Sequence, residues 1–493
     1  MNLNTLISLC EPLEVTGPEP DALGALQQDS RNITAGDVFI AIRGYQVDGH
    51  DFIQAAIDNG AVVVICEEPP MNYSQDVCMI VVEDSRSLLG PLAQAFEGHP
   101  AEGMSIIGIT GTNGKTTVAT LTYQLLQKLG ANPALLGTVA KCIGGEVYES
   151  KLTTADPIEL AADMRKMVEA GTSHLVMEVS SHALDQQRVN GVQFNIAAFT
   201  NLSHDHLDYH ETLADYAKAK QALFLSLGED DTAVINADDE QALLMAEDCK
   251  ANIINFSFAQ ASDVECQVLA NTTEGLTIRI GQSLVESPLM GLFNAYNITE
   301  AFLIGQALGF DTDEIVTAFK NIPGAPGRLQ SIEDPDSDKP IVIVDYAHTP
   351  DALRNVLQTL AELKTNQQAL HVVFGCGGNR DKSKRPKMAA TAETYADIIT
   401  VTSDNPRDED PDAIIDDIMA GFNNPTNISR ITDRRQAITQ AIKEGDANTM
   451  VLVAGKGHET YQEIQGKRYQ FDDRQVAREA LGNSNVNPKT QEV

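Results

Sequence analysis

Short apolar runs alternate with longer amphipathic stretches along most of this chain. Runs of strand length occupy 37–42 and 61–66, with a helix-like segment over 52–59 between them. A third, over 104–109, leads directly into a glycine-bearing turn at 111–114 and then a helical stretch predicted over 117–129. Further runs at 173–178 and 197–201 alternate with amphipathic segments, which predicts a mostly parallel sheet covered by helices. Gly324-Ala-Pro-Gly-Arg328 punctuates like a linker. Beyond it, apolar runs at 341–345, 371–375, 398–402 and 450–454 predict another α/β region. Most of these runs end in a polar residue or a glycine, and open α/β sheets bind ligands beyond the carboxyl ends of their strands. The pattern therefore predicts three α/β regions, 1–102, 103–327 and 328–493, without internal repeats.

Composition narrows the class. At 493 residues a single core is excluded and two to four domains are expected. No apolar stretch has the length of a membrane span, and the N-terminus lacks the basic segment of a signal peptide. The 7 cysteines are scattered and form no Cys-x-x-Cys pair, so they read as reduced thiols of a cytoplasmic protein. A net charge of −35 repels nucleic acid and anionic membranes, so neither is an expected partner. An anionic ligand then needs a local reversal of that field by lysines, arginines and bound cations.

The segment 106–117, Ile-Ile-Gly-Ile-Thr-Gly-Thr-Asn-Gly-Lys-Thr-Thr, supplies such a reversal. Gly111 and Gly114 let the backbone around Thr112 and Asn113 turn tightly, so successive N–H groups can point at a phosphate. Lys115 adds a positive charge, Thr116 a hydroxyl suited to Mg2+, and the helix from Thr117 aims its N-terminus at the same anion. The standard phosphate-loop pattern would place its first glycine at position 109, where this chain has Ile109. Glu178 ends one strand, in Met-Glu-Val-Ser-Ser-His, and Asn201 another, followed by His204, Asp205, His206 and Asp208. A carboxylate and an imidazole beside a phosphate loop form a divalent-metal site. Taken singly, Glu178 also fits a helix N-terminus, His206 a surface histidine, and Lys220 a solvated helix lysine.

Gly111-Thr-Asn-Gly-Lys-Thr-Thr117, Glu178-Val-Ser-Ser-His182, Asn201-x-x-x-Asp205-His206, Phe293-Asn-x-x-Asn297, Asp345-Tyr-Ala-His-Thr-Pro350 and Gly455-Lys-Gly-His-Glu459 occur in one order along nearly the whole chain. This set resembles the Mur ligase family, ATP-dependent amide ligases of peptidoglycan precursor synthesis. Asp404-Asn-Pro-Arg407 looks like the signature of members that add meso-diaminopimelate to UDP-N-acetylmuramoyl-L-alanyl-D-glutamate. The resemblance implies a cytoplasmic, monomeric enzyme of three domains. Residues 1–102 would bind the UDP end, 103–327 ATP, and a Rossmann-like domain, 328–493, the amino acid.

It also implies roles for particular residues. Lys115 would neutralise the β- and γ-phosphates. Thr116 and Glu178 would hold one Mg2+ and His206 a second ion. Lys220, rather than the competing Lys218, would be carbamylated and so help order the metals. Asn201, Asn297, Arg328, Asp345 and His348 would surround ATP together with the 111–117 loop. Thr153, Thr154, Ser180, Gln186 and Arg188 would hold the muramoyl dipeptide, and Ser30, Tyr45, Gln46 and Val47 the uridine end. Tyr45 and Leu152 depart from the histidine and asparagine common among relatives. Arg380, Asp404, Asn405, Pro406, Arg407, Gly455 and Glu459 would form the diaminopimelate pocket, with Arg407 gripping the far carboxylate and Glu459 the far ammonium. Gly375-Cys-Gly-Gly-Asn-Arg-Asp381 lacks dinucleotide-loop spacing and reads as a turn presenting Arg380. A nucleotide-driven switch, or a folylpolyglutamate synthase built on the same middle-region logic, are the alternatives.

Overall fold

The computed structural model describes all residues except Gln46, Gln75, 204–208, 333–337 and 483–493. Expectations for Gln46, His204, Asp205, His206 and Asp208 therefore lie outside the described residues. The chain forms two compact units, 1–264 with 303–309, and 265–302 with 310–493.

The first unit contains two sheets with separate cores. The N-terminal one consists of β1 (Glu14–Thr16), β2 (Leu26–Gln27), β3 (Val38–Ile40), β4 (Val63–Cys66) and β5 (Cys78–Val81). Their order is β1-β5-β4-β3-β2, parallel except for β1. β3 and β4 are buried throughout, which explains their unbroken apolar sequence. The helix Ser85–Phe96 packs on this sheet and is capped by Asp84, whose carboxylate accepts from the N–H groups of Arg86 and Ser87.

The second sheet of this unit uses β6 (Ser105–Thr110), β7 (Pro133–Leu136), β8 (Lys141–Ile143), β9 (Glu146–Tyr148), β10 (His174–Glu178), β11 (Ile196–Phe199), β12 (Thr232–Asn236) and β13 (Asn252–Ser257). Their order is β13-β12-β11-β6-β10-β7-β8-β9, parallel from β13 through β7 and antiparallel beyond. The chain reaches neighbours on opposite sides of β6, so the loops after β6, β10 and β11 open side by side. The helix after the phosphate loop is Lys115–Lys128, two residues earlier than the apolar pattern suggested. Gly114, at φ +91°, makes the sharp turn that lets Lys115 begin the helix at once.

The second unit holds an antiparallel sheet, β14 (Val264–Thr272), β15 (Gly275–Ile280) and β16 (Ser283–Ser287). It also holds a six-stranded sheet of β17 (Gln330–Ile332), β18 (Ile341–Asp345), β19 (Ala369–Phe374), β20 (Ile398–Val401), β21 (Ser429–Arg430) and β22 (Thr449–Ala454). The order is β17-β18-β22-β19-β20-β21, parallel apart from β17, with apolar cores on both faces. A hairpin, β23 (Tyr461–Ile464) and β24 (Lys467–Gln470), follows. The 324–328 stretch is not an open tether. Gly327 lies at φ +66°, and a Cβ there would fall 2.1 Å from the Gly457 carbonyl carbon.

Candidate active site

The phosphate loop is built from backbone constraints outward. Gly111 lies at φ +147°, and any Cβ would sit 1.8 Å from Thr200 Oγ1, so only glycine fits. Asn201 clamps the loop from β11. Its Oδ1 accepts from Asn113 N at 3.0 Å, its Nδ2 donates to Asn113 O at 3.1 Å, and its carbonyl accepts from Thr112 N at 2.8 Å. Lys115 folds over the turn, with Nζ donating to the carbonyls of Gly111 (2.8 Å) and Thr112 (2.9 Å).

Glu178, at the end of β10, is buried and faces the helix start. Its Oε2 accepts from Thr116 Oγ1 at 2.9 Å and Thr138 Oγ1 at 3.2 Å, and its Oε1 from Thr138 N at 2.7 Å. These hard oxygen donors, beside a phosphate loop, fit Mg2+. Among the described residues no three His, Cys, Asp or Glu side chains converge as a metal cluster. Thr138 is a member that the sequence reading missed. The only signal was its place just beyond β7, one strand from Glu178.

Lys220 is not a solvated helix lysine. It is 1% exposed on the helix Leu213–Leu225, its Nζ donates to Gly111 O at 2.8 Å, and it lies 4.5 Å from the Tyr216 ring centroid. Lys218, two residues away, is exposed. Burial thus separates the two lysines that spacing could not.

A cavity of about 1020 Å³ lies within the same unit, lined by residues from the N-terminal sheet region and from the loops after β10 and β11. Of the residues expected to hold a UDP-dipeptide, Tyr45, Gln186 and Arg188 are on its wall, as is Leu152. Thr154 supports it from behind, accepting from Arg188 Nη1 at 3.0 Å through its carbonyl and donating from Oγ1 to Glu178 O at 2.9 Å. Thr153 shares a 3.0 Å hydrogen bond with Thr138, and Ser180 caps the helix Ser181–Asp185. Ser30 is buried and Val47 exposed, both off the cavity wall.

Arg86, Asp185 and Tyr209, which the sequence reading did not single out, also line that wall. Tyr45 and Tyr209 both donate to Asp185 Oδ2, at 2.5 and 2.6 Å, and Arg86 lies 5.0 Å over the Tyr45 ring. Burial pushes the Asp185 carboxyl up, but the two phenols outweigh it and hold it below the usual range.

In the second unit, Asp345 ends β18 and accepts from the N–H groups of Leu329 (2.6 Å) and Ala347 (2.8 Å). Burial raises its carboxyl above the ordinary value, only partly offset by Arg328. Arg328 lies 4.8 Å over the Tyr346 ring, and His348 Nδ1 is 2.9 Å from Tyr346 O. Asn297 is buried and donates to Asn294 Oδ1 at 3.0 Å. Asn201 and the 111–117 loop belong to the first unit, and Asn297, Arg328, Asp345 and His348 to the second.

The loop after β20 gathers the remaining set. Asp404 is buried beneath Gly455, where a Cβ would lie 2.6 Å from Asp404 Oδ2. Burial pushes the Asp404 carboxyl up, but Lys456 and Arg434 more than compensate and hold it low. Arg434 is itself fixed by a fully buried fork to Asp473, at 2.8 and 2.6 Å. Pro406 packs its carbonyl against Gly378, and Arg380 is exposed on the turn before the helix Lys384–Tyr395.

Two side chains of this set already have partners within the protein. Glu459 Oε2 already holds an ammonium, that of Lys456 at 2.8 Å, as well as Asn405 Nδ2 at 2.9 Å. Arg407 is anchored too: its Nε donates to Glu463 Oε2 at 3.1 Å and its Nη1 to Gly378 O at 2.8 Å. Lys456 is a local neighbour of Glu459, three residues away, whereas Glu463 reaches Arg407 from a segment whose approach no local pattern encodes.

Family models for the Mur ligase catalytic domain, middle domain and glutamate ligase domain match residues 24–97, 109–305 and 327–457. The chain is 42% identical, over 97% of its length and 99% of the relative's, to the UDP-N-acetylmuramoyl-L-alanyl-D-glutamate--2,6-diaminopimelate ligase of Parabacteroides distasonis. The chain belongs to the Mur ligase family. A solved structure of a ligase with that same name superposes with a TM-score of 0.70 at 36% identity, covering 95% of this chain and 98% of that one. The folylpolyglutamate synthase of Mycobacterium tuberculosis, solved with ADP and AMPPCP, shares the fold at 20% identity and a TM-score of 0.59, covering 80% of this chain and 95% of its own. Among the described residues of this Mur ligase, no helix is long and apolar enough to cross a membrane.

Proposed function

We propose that this Mur ligase joins meso-diaminopimelate to UDP-N-acetylmuramoyl-L-alanyl-D-glutamate at the expense of ATP, acting as a cytoplasmic monomer in peptidoglycan precursor synthesis. The observation that carries the reading is the Asp404–Arg407 turn, in a chain similar over its length to ligases named for that amino acid. Its buried carboxylate and its partly exposed guanidinium suit a ligand with separate ammonium and carboxylate ends. Residues 1–102, 103–327 and 328–493 would act as the UDP-substrate, ATP and amino-acid domains.

A carboxylate acylates poorly because its leaving group would be oxide. Transfer of the ATP γ-phosphoryl group to the D-glutamyl side-chain carboxylate gives an acyl phosphate, and the amine of diaminopimelate then displaces phosphate. The chemistry asks mainly for positioning and charge neutralisation. Lys115 and the N–H groups at the start of its helix would hold the β- and γ-phosphates, while Asn201 takes the N–H groups of Thr112 and Asn113 and keeps the loop in shape. Thr116 and Glu178 would hold Mg2+, which when bound supplies charge neutralisation between phosphate and substrate carboxylate. His206 would be a further ligand. Carbamylation of Lys220 would turn a buried cation into an anion, while its remaining N–H could still donate to Gly111 O. Gln186 and Arg188 would bind the anionic UDP-dipeptide in the 1020 Å³ cavity.

A phosphate-release assay with a substrate panel tests the reading. Release should require ATP, the UDP-dipeptide and meso-diaminopimelate together. A folate substrate with glutamate should not support it. ATP hydrolysis of equal rate without either co-substrate would instead establish a nucleotide switch.

A further inference from the structure

Glu463 lies outside every motif quoted above, on the hairpin β23–β24. That hairpin is stitched to the 403–407 loop through Gln462, Glu463 and Gln465. Gln462 Nε2 donates to Asp404 O at 2.6 Å, Glu463 N to Asn405 Oδ1 at 2.9 Å, Arg407 N to Glu463 O at 3.0 Å, and Gln465 N to Arg407 O at 2.8 Å. Arg407 sits at φ +50°, a left-handed backbone that a branched or long side chain rarely adopts. Those strand-like hydrogen bonds on both sides of it hold the conformation.

The side chain is held as firmly as the backbone. Glu463 Oε2 takes the Nε–H and Gly378 O takes one Nη1–H. Gly377 leaves room for the guanidinium, since a Cβ there would stand 3.0 Å from Arg407 Nη1. Two donors of the planar group are therefore committed, and its Nη1–Nη2 end makes no further hydrogen bond to the described residues. That end is the one able to meet a carboxylate in a two-pronged, end-on geometry.

We propose that Glu463 is a positioning residue that sets specificity for amino acids bearing a second carboxylate, by fixing the roll of the Arg407 guanidinium so that its Nη1–Nη2 end faces the ligand. The inference rests on the diaminopimelate reading above. Glu463 also neutralises Arg407 when no ligand is present, so the loop does not carry an uncompensated charge between turnovers. Without Glu463 the guanidinium turns about its last torsions, and the fork is presented in the bonding orientation only part of the time.

The test is steady-state kinetics of the full-length enzyme with Glu463→Ala and Glu463→Gln, varying each substrate in turn. Glu463→Ala should raise KM for meso-diaminopimelate roughly tenfold, the size expected for losing one charge-assisted hydrogen bond that orients the fork. KM for ATP and for the UDP-dipeptide, and the melting temperature, should stay within about twofold and a few degrees of the parent. Glu463→Gln keeps an oxygen acceptor for Nε and should restore most of the loss. An unchanged diaminopimelate KM in Glu463→Ala overturns the proposal, as does a rise shared equally by all three substrates or an equal loss in Glu463→Gln. Failure of the parent enzyme to use diaminopimelate at all would instead overturn the substrate reading.

Discussion

Gly137→Ala is the sharpest test of the site's geometry. Gly137 follows β7, and the β7–β10 register, in which Leu136 pairs with Met177, sets it opposite Glu178. A Cβ at 137 would lie 2.3 Å from Glu178 Oε1 and 3.2 Å from its Cδ, well inside van der Waals contact. The carboxylate cannot simply swing away, because Thr116 and Thr138 hold it through three hydrogen bonds at 2.9, 3.2 and 2.7 Å. The clash is relieved only by moving it about 1 Å, which breaks the shortest bond, from Thr138 N. Loss of a hydrogen bond to a buried charge costs roughly 1.5–3 kcal/mol, a modest drop in melting temperature for a chain of this size. If Glu178 holds Mg2+ as proposed, activity should suffer more, since a misplacement of about 1 Å at the reacting centre costs on the order of 100-fold. Phosphate release with all three substrates measures the loss, and thermal unfolding confirms the fold. Glu178→Asp shortens the side chain by one methylene, so Gly137→Ala should cost much less in that background. A folded Gly137→Ala enzyme within about twofold of the parent, or strict additivity with Glu178→Asp, would refute the reasoning.

Lys220→Ala should cripple ligation, with partial recovery in millimolar-range short carboxylic acids that replace a carbamate; full activity, or a fully active enzyme whose intact mass shows no added CO2, defeats the carbamate proposal. Arg407→Lys should lower kcat/KM for diaminopimelate nearly as much as Arg407→Ala, by roughly 2 kcal/mol or thirtyfold, because a point charge cannot serve Glu463, Gly378 and a ligand together; KM for ATP, measured alongside, should not move. His371 is buried on β19 against Thr400 Oγ1 at 2.9 Å, and burial lowers its pKa from 6.5 to about 4. It therefore stays neutral in the fold while the unfolded chain takes up a proton, so its contribution is full above about pH 6.5 and is lost as pH falls toward 4. His371→Gln should shrink the difference in melting temperature between pH 7 and pH 5, and an unchanged difference would count against this assignment.

The α/β class and the phosphate loop were legible in the sequence because they are written locally. Apolar runs such as 341–345 became strands, since burial on both faces leaves no polar position to confuse the period. Gly111, Gly114 and Lys115 announce a phosphate loop because backbone conformation and charge there depend on a few adjacent residues. The helix start was misjudged by two residues, because Gly114's left-handed turn, rather than the apolar period, decides where the helix begins. What the sequence could not contain is which distant residues meet. Lys220 and Lys218 look alike until packing buries one beneath Gly111 and leaves the other in solvent. Thr138 joins Glu178 only because β7 lies beside β10. Asp185 is an ordinary helix-end acid until Tyr45, 140 residues away, donates to it. Arg407 announces a fork, but its orientation belongs to Glu463, brought back by a hairpin 56 residues later. Short-range sterics and burial periodicity thus determine the elements, while partner choice for buried charges is a property of the folded sheet order, because only there do desolvation and proximity act at once.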